Sequence, residues 1–417
     1  MSLPPESYKS ESAAIYNRSF VWAYLANMSL VAANTLAFRF AEFIHFLDGS
    51  EAVAGRIVAY GLIGALISRI WLGQAIDRFG VRRIWLIGTM LFLVGSGTML
   101  ATQALGTGLF AARVAYEIGT ACMFVCSNLH IQLRVPEHRR TEAIGSLGSS
   151  GFVGMIVGAQ LGNWVFSGPA TAILFTQLFS TMIVFGLLYL IFVLMLTHSD
   201  NHVRPEITPP VHVLMRRYWP GPVVLVALMM GLGFAVTMVY VTRLATTRGG
   251  AESHGFGVFF TCYALSAFSF RLSTRTLSRK LGRRVMILCG LMGHAIGHLT
   301  LIFAHQSWQF AIPAICIGFG HALLFPCVVS LGSEPFPPQY RGTGTTMILA
   351  FIDLGRGIMS PLLGWIIVRY AAAGFEAMLI TTTAILTLSV PTYAWLSRGH
   401  QDVDLRYGDA ISTAAEE

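Results

Sequence analysis

Long apolar stretches alternate with short polar loops along almost the whole chain. A helix needs ~20 predominantly apolar residues to cross a bilayer, and such windows recur often enough to predict twelve membrane-spanning helices. The first is longer than a bilayer requires, which predicts a tilt or a projection beyond the headgroups. The predicted fold class is an all-α polytopic membrane protein. The predicted spans are about 19–46, 53–76, 84–104, 107–132, 142–166, 170–197, 220–246, 254–277, 284–304, 308–332, 343–369 and 373–397.

The chain contains traces of an internal duplication. Arg69 and Gly80 recur as Arg271 and Gly282, each 202 residues later, and a segment that begins with Pro136 recurs 201 residues later. A near-constant offset predicts two pseudo-symmetric bundles of six helices each, a pattern known from secondary transporters. The predicted units are a cytoplasmic N-terminal tail (1–18), the first bundle (19–197), a cytoplasmic linker (198–219), the second bundle (220–397) and a cytoplasmic C-terminal tail (398–417).

Composition supports the membrane assignment. The 417 residues are 54% hydrophobic and only 12% charged, with a mean hydropathy of +0.64, whereas soluble domains carry about 25% charged residues. The net charge of +8 does not indicate a nucleic-acid partner, because 20 basic residues fall in the alternate loops and the two tails of one predicted membrane side. This bias places both termini in the cytoplasm. The six Cys all lie in predicted spans without zinc spacing, so we expect no metal and no cofactor.

Residues 73–83 join the second and third predicted spans and read GQAIDRFGVRR. This spacing of Gly, Asp and Arg resembles the loop between helices 2 and 3 of the major facilitator superfamily (MFS), which consists of secondary transporters. The resemblance implies that Asp77 contacts the start of helix 11, near Thr343, and helps to close the cytoplasmic side. A carboxylate is favoured at a helix N-terminus. The alternative is a solvated turn whose Arg residues only set the topology. The predicted latch consists of Gly73, Asp77, Arg78, Gly80, Arg82 and Arg83.

The fourth span resembles the helix-4 motif of the same family in Leu109, Arg113 and Gly119. Tyr116 replaces the Gln of that motif, and Glu117 replaces its first Gly. Arg113 and Glu117 are four residues apart and therefore share one helix face. A charge deep in a span usually pairs and faces the interior. The pair is either a structural ion pair or a site of proton or substrate coupling.

The fifth span carries Gly145, Gly154, Gly158 and Gly162. Their spacing resembles the helix-5 signature of drug/proton antiporters, although Ala159 replaces its Pro. The resemblance favours export, while close helix packing through small residues would explain the same pattern.

Three further polar residues lie deep in the second half. Asp353 and Arg356 are ten and thirteen residues past the predicted start of the eleventh span, about 15–20 Å into the membrane. His321 lies midway along the tenth span, which in this family lines the central cavity. We expect a role in substrate or proton coupling for all three. The alternatives are a buried interhelical ion pair for Asp353 and Arg356, and a hydrogen-bonded packing residue for His321.

Arg39 lies late in the first span, and Arg243 lies late in the seventh, 204 residues later. Together with Arg113 they predict a cavity that attracts an anion, because guanidinium groups match carboxylates and phosphates. Their alternative role is to snorkel to the membrane interface.

The leading functional hypothesis is a secondary transporter that moves a small organic solute by alternating access, coupled to protons and favouring efflux. The alternatives are proton-coupled uptake of an organic anion through the Arg residues, or a transport-inactive membrane sensor. An enzyme is not expected, because no nucleophile–base set, His-rich metal motif or nucleotide loop is visible. Arg provides 26 of the 28 basic residues, which is typical of a GC-rich bacterial genome. We predict a monomer in the bacterial inner membrane.

Overall fold

The structure is a computed structural model that describes residues 16–49, 51–165, 171–198, 206–249 and 255–399. Parts of the predicted tails (1–15 and 400–417) and of the predicted linker (199–205) lie outside the described residues. The described part of the chain is helical. Nine of its stretches are long and apolar enough to cross a membrane, and the last of these, Pro338–Leu396, contains two helices.

The first six spans form one bundle. Its first span consists of two helices separated by a 3₁₀ turn, and each of the other five is a single helix. The helices are α1 (Arg18–Leu36), α2 (Phe40–Phe46), α3 (Glu51–Phe79), α4 (Val81–Ala101), α5 (Thr107–Leu133), α6 (Arg140–Val165) and α7 (Ala172–Leu196).

The remaining six spans form the second bundle. A short helix, α8 (Val211–Arg217), precedes it, and another, α12 (Leu277–Leu281), follows its second span. The spans are α9 (Val223–Ala235) with α10 (Val241–Gly249), α11 (Gly255–Ser273), α13 (Arg283–Ile302), α14 (Ala311–Ser333), α15 (Arg341–Tyr370) and α16 (Gly374–Leu396).

The two bundles use the same helix pairings. In the first, α1 packs on α6 and α7, α4 packs on α5 and α7, and α3 packs on α5. In the second, α9 packs on α15 and α16, α13 packs on α14 and α16, and α11 packs on α14. The bundles contact each other where α3 meets α15, α6 meets α11 and α14, and α5 meets α15. The predicted twelve-helix architecture of two pseudo-symmetric bundles is therefore confirmed.

The repeated glycines have the same backbone conformation. Gly80 has φ 88° and ψ 153° immediately before α4, and Gly282 has φ 78° and ψ 153° immediately before α13. This region is essentially restricted to glycine, because a Cβ atom would clash with the backbone. The duplication read from the sequence thus corresponds to two turns of one geometry. The membrane side on which these turns lie is called the Gly80 end below.

Two spans are less regular than the hydrophobic pattern indicates. The 3₁₀ turn Ala37–Arg39 interrupts the first span, and the π-helical segment Val236–Tyr240 joins α9 to α10. The hydroxyl of Tyr240 donates to the carbonyl of Ser360 on α15. Turns of π-helix are rare and are frequently found at functional sites.

Candidate functional site

Asp77 joins the two bundles at the Gly80 end. It lies in the last turn of α3, is 5% exposed, and faces the first turn of α15. Its Oδ2 accepts hydrogen bonds from the backbone nitrogen (3.0 Å) and the hydroxyl (2.5 Å) of Thr343. The carboxylate therefore satisfies a free N–H group at the positive end of a helix. This is the contact that the resemblance implies for Asp77.

Gly73 allows this close approach of α3 and α15. A Cβ atom built on Gly73 would lie 2.6 Å from the Cα atom of Thr343, so any larger residue would push the helices apart. The three Arg residues of the motif lie elsewhere: Arg78 and Arg83 are exposed, and Arg82 is half-buried. Within the described part of the chain, these three make no ion pair. The structure therefore brings Asp77 to Thr343 and does not bring the motif's Arg residues to Asp77.

A second group of polar contacts lies beside Asp77. Gln132 on α5 donates from Nε2 to the Oγ1 of Thr345 (3.3 Å) and accepts a hydrogen bond from the hydroxyl of Ser333 (2.7 Å). The Oε1 of Glu137 lies 2.8 Å from Arg140 of its own bundle and 3.5 Å from Arg341 of the other. These contacts cross the bundle interface at the Gly80 end.

The equivalent junction between the bundles carries an ion pair in place of the Asp77–Thr343 hydrogen bonds. Arg279 stands 202 residues after Asp77, and Glu142 stands 201 residues before Thr343. The Nη2 of Arg279 lies 3.2 Å from the Oε2 of Glu142, which is buried in the first turn of α6. Both pseudo-equivalent junctions are therefore closed, one by an acid on α3 and the other by a base on α12.

Asp353 forms the central ion pair of the bundle interface. Its Oδ2 lies 2.7 Å from the Nη2 of Arg69 on α3, and its Oδ1 lies 3.2 Å from the Nη2 of Arg356 on its own helix. Asp353 is twelve residues past the start of α15, about 18 Å along the helix axis. One carboxylate thus connects the two bundles near the middle of the membrane.

Arg113 and Glu117 form a separate pair on α5. Their nearest side-chain atoms are 2.6 Å apart. The Arg113 guanidinium also lies over the rings of Phe40 (4.7 Å) and Tyr116 (5.0 Å). Tyr116, which replaces the Gln of the family motif, donates from its hydroxyl to the side chain of Asn34 on α1. This pair lies within the first bundle.

His321 lies among aromatic rings on α14. Its imidazole Nδ1 is hydrogen-bonded to the hydroxyl of Tyr263, and the rings of Phe152, Phe234 and Phe325 surround it at centroid distances of 5.5, 5.0 and 5.9 Å. Phe152 belongs to the first bundle, so His321 also lies at the bundle interface. The side chain is half-buried.

Arg39 and Arg243 lie toward the opposite end of the bundles. Arg39 is 3.0 Å from Glu42, and that carboxylate is half-exposed. Arg243 is exposed, and its carbonyl accepts a hydrogen bond from Thr247. Arg39 and Arg113 therefore each have a carboxylate of their own helical span beside them.

Sequence reasoning did not select Arg69, Gln132, Ser333 or Arg271 as functional. In the sequence Arg69 and Arg271 stand out only as repeated positions, yet both are buried at the bundle interface. A buried charge within a span is itself a signal of function. Gln132 and Ser333 share the 201-residue offset of the duplication, which would have related them.

Comparison with known proteins identifies the family. The signature of the Major Facilitator Superfamily matches residues 16–251 and 223–407. The chain belongs to the Major Facilitator Superfamily. It is therefore a transporter of small molecules and not an enzyme, as predicted. The assignment to a multi-pass protein of the inner membrane also agrees with its bacterial relatives.

Individual MFS proteins resemble the chain at low identity. YhhS of Salmonella paratyphi C (strain RKS4594), an uncharacterized MFS-type transporter, is 24% identical over 366 residues, covering 82% of this chain and 85% of the relative. The multidrug resistance protein MdtG of Dickeya zeae (strain Ech586) is 24% identical over 351 residues, covering 81% and 82%.

Solved MFS structures share the fold. FucP in the outward conformation aligns with a TM-score of 0.74 at 15% identity, over 91% of this chain and 99% of FucP. The human organic anion transporter MFSD10 aligns with a TM-score of 0.73 at 14% identity, over 94% of this chain and the whole of the other.

Proposed function

We propose that this MFS protein is a proton-coupled exporter of small organic solutes, with Asp353 as the coupling carboxylate. The supporting observation is the position of Asp353 between Arg69 of the first bundle and Arg356 of the second. Ionised, it holds α15 against α3. Protonation removes the negative charge, weakens the ion pair with Arg69, and allows the two helices to separate. Binding of one proton thus destabilises the arrangement in which α15 and α3 are in contact, relative to the one in which they are apart.

The proposed cycle alternates between closure at the Gly80 end and closure at the opposite end. The contacts of Asp77, Gln132, Glu137 and Glu142 hold the Gly80 end closed. We place this end in the cytoplasm because the basic residues of the chain concentrate in its loops. The arrangement then faces outward, in keeping with the fold similarity to FucP in its outward conformation.

Two observations favour export. The chain resembles MdtG, whose name describes a multidrug resistance protein, and its α6 carries the glycine pattern of drug/proton antiporters. Uptake of an anion through Arg39, Arg113 and Arg243 is less favoured, because Glu42 and Glu117 already neutralise two of these three groups. Glu117 is the second candidate for proton coupling. We propose a monomer as the transporting unit, since the two bundles in one chain form the complete interface.

Asp353→Asn tests the coupling role. Purified protein is reconstituted in liposomes that contain a pH-sensitive dye, and pools of lipophilic cations, neutral amphiphiles and organic anions are offered under a pH gradient. We expect substrate-dependent proton flux in the wild type and a loss of at least about tenfold in Asp353→Asn, a conservative bound because a positioned proton-transfer group typically contributes ~100-fold or more. Substrate counterflow without a gradient should persist, because the neutral Asn resembles protonated Asp.

Glu42→Gln is the matched control, since Glu42 also pairs with an Arg three residues away but is half-exposed. It should retain proton flux. Glu117→Gln measures the second candidate in the same assay. Unchanged proton flux in Asp353→Asn would show that the coupling group lies elsewhere.

A further inference from the structure

Arg271 is a buried cation without a carboxylate partner among the described residues. It lies on α11 at the interface with α6 and is 3% exposed. Its Nη2 donates to the carbonyl of His321 (3.2 Å), and its guanidinium carbon lies 4.9 Å from the ring centre of Phe152 and 5.4 Å from that of Phe325. Its Nε is buried without a hydrogen-bond partner. The charge is therefore only partly compensated.

The pseudo-equivalent site in the other half shows what is missing. Arg69, 202 residues earlier, has the carboxylate of Asp353 at 2.7 Å. The residue 201 positions before Asp353 is Phe152, whose ring faces Arg271. The two sites thus share one placement of the guanidinium across the bundle interface. One site supplies an acid to it, and the other supplies an aromatic ring.

The residues around Arg271 leave room for its buried guanidinium but supply no carboxylate to it among the described residues. A Cβ atom on Gly148 of α6 would lie 2.3 Å from Nη1 of Arg271, so glycine provides the space that the group occupies. Removing a cation from water costs more than aromatic rings return. A buried charge of this kind persists where it serves function, and an anionic ligand would complete its compensation.

We propose that Arg271 binds the carboxylate of an aromatic organic anion carried by this transporter, which rests on the proposed transport function. A planar guanidinium recognises a carboxylate with paired hydrogen bonds. The Tyr263 hydroxyl and the His321 imidazole are hydrogen-bonded to each other, and the backbone carbonyl of His321 accepts a hydrogen bond from Arg271, so both side chains are near the guanidinium. The rings of Phe152 and Phe325 provide an apolar wall for the remainder of the ligand.

The burial of Arg271 also indicates when the anion binds. In the arrangement described, α6 packs against α11 and α14 and covers the guanidinium. The anion therefore reaches Arg271 when these helices separate at the Gly80 end. For an exporter this is the state that loads substrate from the cytoplasm.

Three probes of similar shape and different charge test the proposal: benzoate, benzamide and benzamidine. Naphthoate and phenylacetate, each with its amide, extend the range of sizes. Thermal unfolding of the purified full-length protein is followed with each probe. We expect the carboxylates to raise the melting temperature and the amides and benzamidine to leave it unchanged. Equal stabilisation by acid and amide, stabilisation by benzamidine alone, or no stabilisation by any carboxylate would overturn the proposal.

Phe152→Asp supplies Arg271 with an internal carboxylate, as Asp353 does for Arg69. We expect carboxylate affinity to fall at least about tenfold, the usual effect of removing a charge-assisted hydrogen bond. Phe152→Leu is the uncharged comparison and should lose less affinity than Phe152→Asp, because it changes the apolar wall without supplying a carboxylate to Arg271. If Phe152→Asp does not fold, Arg271→Gln and Arg271→Lys replace it, with loss expected for Gln and partial retention for Lys. Full carboxylate binding in Arg271→Gln would refute the assignment.

The outcome separates this site from the proposed function. Proton flux that depends on Asp353, without carboxylate binding, would leave the transporter proposal standing and reject the anion site. Carboxylate binding that depends on Arg271, without Asp353-dependent flux, would leave the anion site standing and reject Asp353 as the coupling carboxylate.

Discussion

At the residue scale, Asp77 shows how one carboxylate closes an interface. Both of its hydrogen bonds with Thr343 rely on an acceptor that carries negative charge at a helix N-terminus. In Asp77→Asn the amide keeps one acceptor oxygen but loses the charge. The free energy that favours the closed arrangement of the Gly80 end should therefore fall by about 1 kcal/mol. We expect impaired transport with normal expression.

The closure itself can be measured at Thr345, which is fully buried beside Gln132. A thiol introduced by Thr345→Cys should react several-fold faster with a maleimide in the Asp77→Asn background. Arg78→Gln is the matched control, because Arg78 belongs to the same motif but is exposed. Equal labelling rates and unaltered transport in Asp77→Asn would argue against a latch at this position.

The residue scale also shows where sequence reasoning stops. Asp77 could be related to Thr343 because a family motif carries the pairing. The partner of Asp353 could not be identified in this way, since Arg69 lies 284 residues earlier in another bundle. Charge pairing across an interface depends on how the helices pack, and no local spacing encodes it. For Arg113 and Glu117 a local spacing does exist, and there the sequence gives the correct neighbours.

At the scale of the element, the glycines of α6 have different neighbours. A Cβ atom on Gly154 would lie 2.4 Å from the carbonyl oxygen of Met28, and one on Gly158 would lie 2.5 Å from that of Ala32. Both glycines therefore allow backbone contact between α6 and α1 within one bundle. Gly145 instead faces Pro326 of the other bundle. Close packing of α6 on α1 therefore accounts for Gly154 and Gly158.

Gly154→Ala should therefore destabilise the first bundle. The added methyl group meets a backbone oxygen that cannot move aside, and overpacking of this kind costs about 1–3 kcal/mol. The melting temperature of the purified protein should fall. Gly151→Ala, one turn earlier, is the control, since its nearest neighbour would be the Val31 side chain at 3.5 Å. The packing interpretation would fail if both variants melted at the same temperature.

Hydrophobic pattern located the twelve spans because each must present about 20 apolar residues to lipid. It did not reveal the 3₁₀ turn Ala37–Arg39 or the π-helical segment Val236–Tyr240. Both lie inside predicted spans, and the second contains no charged residue. Hydropathy depends on residue type and not on backbone hydrogen bonds, so it does not detect a change from one helix type to another. The short helix α8 was likewise hidden within the polar linker.

At the scale of the whole molecule, the two halves share geometry but differ in chemistry. Gly80 and Gly282 adopt one backbone conformation, and the helix pairings repeat between the bundles. The polar contacts at equivalent positions do not repeat, since Asp353 faces Arg69 whereas Phe152 faces Arg271. The duplication was visible in the sequence as an offset. The chemical differences between the two halves could be recognised only from the structure, which shows which residues meet across the bundle interface.

Alternating access requires α6 and α14 to separate at the Gly80 end, and a disulfide can prevent this. A Cβ atom on Gly145 of α6 would lie 3.6 Å from the Cβ of Pro326 on α14, within the ~3.5–4.5 Å that a disulfide spans. We expect the double variant Gly145→Cys/Pro326→Cys to cross-link under oxidation and to lose transport by at least about tenfold, because closure becomes covalent.

Reduction should restore transport, since the bond and not the substitutions would hold the bundles together. The two single variants and the wild type, under the same oxidant, control for the loss of Pro326 from α14 and for the six native cysteines, none of which forms a disulfide in the described part of the chain. Mass spectrometry of the peptides establishes that the intended bond has formed. Full transport by the cross-linked protein would mean that α6 and α14 stay together throughout the cycle, and the bundles would then have to move along another contact.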